Sequence, residues 1–236
     1  MNNILHSSLI GLRVAVTGGT SGLGLALVRT LHAGGAQVAF VARDAARVRH
    51  IAAELPGTHG IVGDVAWQDD THRIALQITG ALGGLDVLIN NASSLGPVPL
   101  ALLADTECED LQAALATNVV GAFRLTKALL GALVGAAREG RAAHIVNITS
   151  DAAVNAYPSW GAYGASKAAL AHLGRIWAEE LREHGVSVSA FDPGDMDTPL
   201  HAQAVPDADP AQLKRPADAA RELLALIAAQ TTGARA

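Results

Sequence analysis

A short strand running into a glycine turn and then a helix narrows the folds open to this chain more than any other feature. Leu12 to Thr17 has a strand pattern, Gly18-Gly19-Thr20-Ser21-Gly22-Leu23-Gly24 follows, and Leu25 to His32 is a helical stretch that stops at Gly34-Gly35. Glycines let a backbone approach a pyrophosphate, and the helix amino end offers unpaired N–H groups with a partial positive charge. The same alternation continues. Strand patterns recur at Val38–Ala42, Ile61–Val65, Leu85–Ser93, His144–Ile148 and Val186–Phe191, with helical runs between them. Such a chain is expected to form one α/β domain over residues 1–236: a doubly wound parallel sheet with helices on both faces, and one binding crevice at the strands' carboxyl ends.

Composition agrees and excludes several classes. Half of the 236 residues are apolar, 17% are charged and only 3% are aromatic, so alanine, valine, leucine and glycine build the interior. That suits helices packed closely on a sheet better than a β-sandwich. The formal net charge of -5 leaves no basic footprint for nucleic acid. One cysteine, Cys108, excludes an internal disulfide and a cysteine-rich metal site, and the nine histidines are scattered, so no metal is expected. Met1 to His6 has no basic region followed by an apolar core, and no uninterrupted apolar run reaches membrane-spanning length. The expectation is a cytoplasmic protein with neither membrane nor nucleic acid as partner.

The ends of the strands carry the chemistry. After Ala42 come Arg43 and Asp44; a carboxylate at this point holds a ribose diol as in NAD, whereas an arginine accommodates the 2′-phosphate of NADP. Asp44 is placed to cap the helical run Ala45–Leu55, which leaves Arg43 for the phosphate and favours NADP(H), with NAD(H) as the alternative. Asp64 either accepts from an adenine amino group or caps a helix from Asp70 through Ile78. Asn90-Asn91-Ala92-Ser93 leads into a polar loop, and Ser94 to Pro99 rims a pocket. Asn118 sits within helical patterns from about Asp105 through Leu133, where asparagine is mildly unfavourable. It either faces solvent or binds something, and position alone puts a structural role first.

Tyr163 and Lys167 are four apart, on one face of a helix that runs to Glu183. An ammonium beside the phenol is expected to lower its pKa toward neutrality, so that it gives or takes a proton. Ser150, thirteen positions upstream at a strand's end, offers a hydroxyl to the same substrate oxygen. Tyr157 and Trp160 lie between them and can line the pocket, while Trp177 reads as packing. Asp195 to Pro210 has no clear period and reads as a mobile lid, within a lid region taken as 195–212. His201 in that segment reads as a solvated loop histidine. Pro216 opens a terminal helix from Ala217 to about Ala229.

Taken together these stretches resemble the short-chain dehydrogenase/reductase family over about residues 10 to 200 and the terminal helix. Thr17-Gly18-x-x-x-Gly22-x-Gly24 is similar to its glycine motif, and Asn90-Asn91-Ala92 to its Asn-Asn-Ala-Gly, with Ser93 where glycine is usual. Asn118, Ser150, Tyr163 and Lys167 fall where the family carries its catalytic four. The resemblance implies a Rossmann-type sheet and hydride transfer between NADP(H) and a carbonyl or secondary alcohol. In it Tyr163 acts on the substrate oxygen, Ser150 polarises it, Lys167 holds the nicotinamide ribose, and Asn118 supports a water chain. It also implies a cofactor shell of Gly18, Thr20, Ser21, Gly22 and Leu23, then Arg43, Asp64 and Val65, then Asn91, Ala92 and Ser93. Tyr163 and Lys167 belong to it too, and Pro193, Gly194, Met196 and Thr198 hold the carboxamide end. Family members usually add a last strand; the tail Thr231–Ala236 shows no apolar strand, which makes a homodimer through 105–133 and 163–183 more plausible than a homotetramer. The rival readings are an NAD-dependent dehydrogenase of the same fold and a nucleotide-binding regulator without turnover.

Overall fold

A computed structural model describes residues 9–233. The amino-terminal stretch Met1–His6 and the last three residues of the tail lie outside the described residues. Six strands form one sheet: β1 (Arg13–Thr17), β2 (Gln37–Ala42), β3 (His59–Val62), β4 (Val87–Asn90), β5 (His144–Ile148) and β6 (Ser187–Phe191), in the order β3-β2-β1-β4-β5-β6. Every pairing is parallel; Val16 lies beside Phe40 on one side and Ile89 on the other. Parallel neighbours must be joined by crossovers. The strand order reverses between β1 and β4, which opens a crevice above their carboxyl ends.

The helices are α1 (Gly22–Ala33), α2 (Ala45–Glu54), α3 (Gln68–Leu82), α4 (Cys108–Leu115), α5 (Ala122–Arg138), α6 (Gly161–Leu181), α7 (Pro199–Ala204) and α8 (Pro216–Gly233). Side-chain alternation along the strands divides the core into two layers. Val14, Val16, Phe40 and Ile89 point to the layer of α1 and α8, against Leu27, Leu31, Leu223 and Ile227. Ala15, Val41, Leu88 and Ile145 point the other way, against Ile74 and Ile78 of α3 and Leu125, Leu129 and Leu133 of α5. Each such fully buried side chain stabilises the fold by about 1.5–3 kcal/mol before entropy is counted. No strand follows α8 among the described residues.

Three expectations change. Asp64 does not cap a helix: its carboxylate accepts from the Ala66 N–H, and α3 starts at Gln68 after Trp67. Asp70, inside the first turn, accepts instead from the Asp64 N–H. The segment after Asp195 is partly regular, because Thr198 caps α7 by accepting from the His201 N–H and Pro199 fills the first helical position. A short 3₁₀ turn, Pro210–Gln212, follows it. In addition, α4 and α5 join through a π-helical turn, Ala116–Gly121, into a helix of 31 residues that contains an 18-residue window with a mean hydropathy of 1.5. By length and composition this helix could cross a membrane. Its alanine, leucine and valine content does this despite Arg124 and Lys127, and Leu125, Leu129, Leu133 and Ala136 pack it on the sheet.

Candidate active site

The glycine turn is built by β1 and braced by the loop after β4. The Thr17 hydroxyl accepts from the backbone N–H groups of Asn91 and Ala92, both at 2.9 Å. The Asn91 carboxamide in turn donates to the Thr17 carbonyl at 2.8 Å and the Gly18 carbonyl at 3.3 Å. Asn91 thus shapes the cradle as well as bordering it. Gly24 must lack a side chain, since a Cβ there would sit 2.1 Å from the Gly18 oxygen. Ser21 stands at the amino end of α1 without a side-chain capping bond, so the first-turn N–H groups face the crevice. This is a fit for a pyrophosphate.

From the cradle a cavity of about 530 Å³ runs in two directions. Toward β2 and β3 it is bordered by Arg43, Asp64 and Val65, and also by Arg47. The Arg43 guanidinium is 78% exposed and lies 3.8 Å from the Asp64 carboxylate. Asp44 caps α2 by accepting from the Ala46 and Arg47 N–H groups, as its position implied. Ala42 leaves no acidic side chain at the strand end where a 2′-hydroxyl would bind. Two cations and no β2 carboxylate suit a phosphorylated ribose.

In the other direction lie Ser93, Ser150, Tyr163 and Lys167, with Pro193, Gly194, Met196 and Thr198 as the facing wall. A Cβ on Gly22 would come within 3.1 Å of the Thr198 methyl, so this wall touches the glycine turn. Tyr163 and Lys167 project from α6 and are 7% and 1% exposed. The Lys167 ammonium stands over the Tyr163 ring, 5.4 Å from its centroid, and donates to the Ile148 carbonyl at 2.8 Å. Burial pushes this ammonium down to about 8, against a smaller opposing pull from Asp192.

The phenol does not follow the sequence expectation. Burial pushes Tyr163 up to about 12; Ser150 and Ser93 oppose the rise, and Asp192 and Asp151 add to it. The reason is geometric: Lys167 spends its hydrogen bond on the strand carbonyl and lies over the ring, so desolvation of the phenolate dominates. Ser150 is likewise engaged. Its hydroxyl donates to Asp151 at 3.0 Å and accepts from the Ala152 N–H at 3.2 Å, and Asp151 also accepts from the Tyr157 hydroxyl at 2.7 Å.

Asn118 stands apart from the cavity wall and is 1% exposed. Its carboxamide accepts from the Ser94 N–H at 2.7 Å and donates to the Ser94 carbonyl and the Ser166 hydroxyl, both at 2.8 Å. The side chain therefore binds protein and ties the Ser94 loop to α6. Every other residue singled out for catalysis or cofactor binding borders the one cavity. Tyr157 and Trp160 line it as well, the latter edge-on to Tyr163 at 5.7 Å. His201 is not a solvated histidine: its side chain is 14% exposed and borders the cavity beside Leu200 and Ala204. Sequence reading passed over Arg47, which lies one helical turn after Arg43, a spacing that could have found it. Leu95 falls in the stretch read as a pocket rim, and Leu200 in the segment read as a lid, where it stands on α7.

A dinucleotide cradle opening onto a buried tyrosine and lysine and a half-buried serine is the plan of a nicotinamide-dependent oxidoreductase. Comparison with known proteins agrees. The family model described as short chain dehydrogenase matches residues 13–209. Mouse L-fucose dehydrogenase is 34% identical over 187 residues, which is 79% of this chain and 66% of that protein. The 2,5-dichloro-2,5-cyclohexadiene-1,4-diol dehydrogenase of Sphingobium indicum is 34% identical over 202 residues, 84% of this chain and 78% of that one. Among solved structures, the 3-ketoacyl-(acyl-carrier-protein) reductase of Brucella melitensis, complexed with NADH, superposes with a TM-score of 0.88 at 26% identity. That match covers 95% of this chain and 93% of that one. A short chain dehydrogenase of Shigella flexneri, complexed with NADP, superposes with a TM-score of 0.84 at 27% identity, covering 91% and 90%. The chain belongs to the short-chain dehydrogenase/reductase family, oxidoreductases that act on alcohol and carbonyl groups and use NAD(P).

Proposed function

We propose that this protein transfers hydride between NADP(H) and the carbonyl or secondary alcohol of a small molecule, with Tyr163 as general acid and base. One observation carries the reading: Tyr163, Lys167 and Ser150 border the same cavity as the glycine turn. A nicotinamide dinucleotide held there supplies or accepts the hydride. In the reductive direction Tyr163 gives its phenolic proton to the substrate oxygen, which Ser150 positions. The Lys167 ammonium over the ring stabilises the phenolate left behind, and at neutral pH it holds its proton. Leu95, Trp160, Leu200 and Ala204 give the substrate end an apolar lining, with Asp151 and Tyr157 at its rim to take hydroxyl groups.

Initial rates of NADPH and NADH oxidation over a panel of ketones, aldehydes, sugars and steroids test this. Tyr163→Phe is expected to lower kcat by about a thousandfold or more while NADPH fluorescence still reports binding. Arg43→Ala is expected to weaken NADPH about tenfold and leave NADH unchanged. Equal affinity for the two dinucleotides would remove the NADP preference; binding without turnover anywhere in the panel would favour a regulator.

A homo-oligomer also fits. Val120 and Phe123 on the long helix and Ile176 on α6 leave an exposed apolar face, where Phe123 stacks on Trp177 at 5.8 Å. Light scattering should give a dimer, and a stable monomer or tetramer would overturn that assembly.

A further inference from the structure

Ser93 bears the only side-chain hydroxyl among the described residues that is buried with no hydrogen-bond partner. The backbone on both sides of it is fixed. Before it, the Ala92 N–H is held by the Thr17 hydroxyl; after it, Ser94 is gripped at its N–H and its carbonyl by Asn118. Asn118 then donates to the Ser166 hydroxyl, which donates to the carbonyl of Tyr163 at 2.7 Å. The loop that presents Ser93 and the helix that presents Tyr163 are therefore riveted together, and both side chains open onto the same cavity. A buried donor left unpaired in so rigid a frame calls for a partner that appears in another state of the protein.

The Ser150 hydroxyl is also engaged with Asp151. We propose that Ser93 is a further catalytic residue, whose hydroxyl donates a hydrogen bond to the Tyr163 oxygen when that oxygen becomes a phenolate. The proton lost by Tyr163 goes to the substrate oxygen; Ser93 keeps its own and only shares it. A donor set in place before the charge forms favours the charged state without reorganisation. Consistent with this, Ser93 is one of the two hydroxyls that favour the Tyr163 phenolate against burial. The inference rests on Tyr163 being the acid and base.

The protein has only two tyrosines, Tyr157 and Tyr163, so Tyr157→Phe leaves Tyr163 as the sole tyrosine. In that background, with the ring carbon bearing the hydroxyl labelled with carbon-13, NMR follows the phenol directly through a pH titration with NADP⁺ bound. Ser93→Ala is expected to move the midpoint up by about 1 pH unit. Ser93→Thr, which keeps a hydroxyl, should restore the midpoint; Ser93→Gly serves if the alanine variant does not fold. An unmoved midpoint in either Ser93→Ala or Ser93→Gly, or a loss confined to dinucleotide affinity, overturns the proposal. A moved midpoint in a protein that turns over no carbonyl would leave the Ser93–Tyr163 pairing standing while removing the oxidoreductase reading.

Discussion

Asn118 shows how one side chain can set a site it does not line. Its three bonds hold the Ser94 loop against α6, so its truncation leaves a buried N–H, a carbonyl and a hydroxyl to find other partners. Asn118→Ala is expected to lower stability by about 2 kcal/mol in urea denaturation. Activity should fall further than stability alone explains, because Ser93 and Tyr163 are no longer fixed relative to each other. A variant as stable as the parent would show that the loop holds itself. The sequence placed Asn118 correctly between two helical runs but could not show what it bonds. Its partners are 24 and 48 residues away, and the π-helical turn that aims it is a backbone feature without a composition signature.

At the scale of elements, β5 and β6 are joined by a histidine. His144 opens β5 opposite Ser187, and its ring nitrogens meet the hydroxyls of Ser189 at 2.8 Å and Ser187 at 3.1 Å. Burial pushes the imidazole down to about 4, so the folded protein keeps it neutral where the unfolded chain takes up a proton. Stability must then rise with pH across the window from about 4 to about 6.5, by up to roughly 3 kcal/mol. Its contribution is fully present above the upper limit and is lost on acidification. Replacing His144 with glutamine, which keeps hydrogen-bonding capacity without titrating, should flatten urea midpoints across that window. An undiminished slope would assign the acid sensitivity to another group. Periodicity made β5 legible as a buried run; which of its polar residues pair with β6 depended on a register that only the folded sheet supplies.

For the whole molecule, the end of the sheet opposite the cavity is locked by charge. Asp86, with a fully buried side chain, accepts from Arg13 at 2.7 Å and from Arg141 at 2.6 Å. Arg141 continues to the Gly11 carbonyl and Arg13 to that of Gly83. Burial alone would raise the Asp86 carboxyl, but Arg141 and Arg13 outweigh it and hold it below the usual carboxylate range. Its stabilisation is thus present above about pH 4 and is lost as the pH falls through the depressed value, below the window of His144. Asp86→Asn should cost about 3–5 kcal/mol in denaturant unfolding, because two cations lose their shared partner. NADPH affinity of the folded protein should not change, since the network and the cavity lie at opposite ends of the strands. A loss of affinity in the folded variant would mean that the two ends are coupled.

The amino-acid order by itself determined the doubly wound sheet, the glycine cradle and the pairing of Tyr163 with Lys167, because strand and helix periodicity, turn glycines and an i,i+4 spacing are local properties of the chain. Tertiary structure alone decided the charge state of the phenol, the engagement of Ser150 with Asp151 and the unpaired hydroxyl of Ser93. Those depend on burial and on contacts between segments far apart in sequence, where desolvation can outweigh a neighbouring charge that local spacing makes conspicuous.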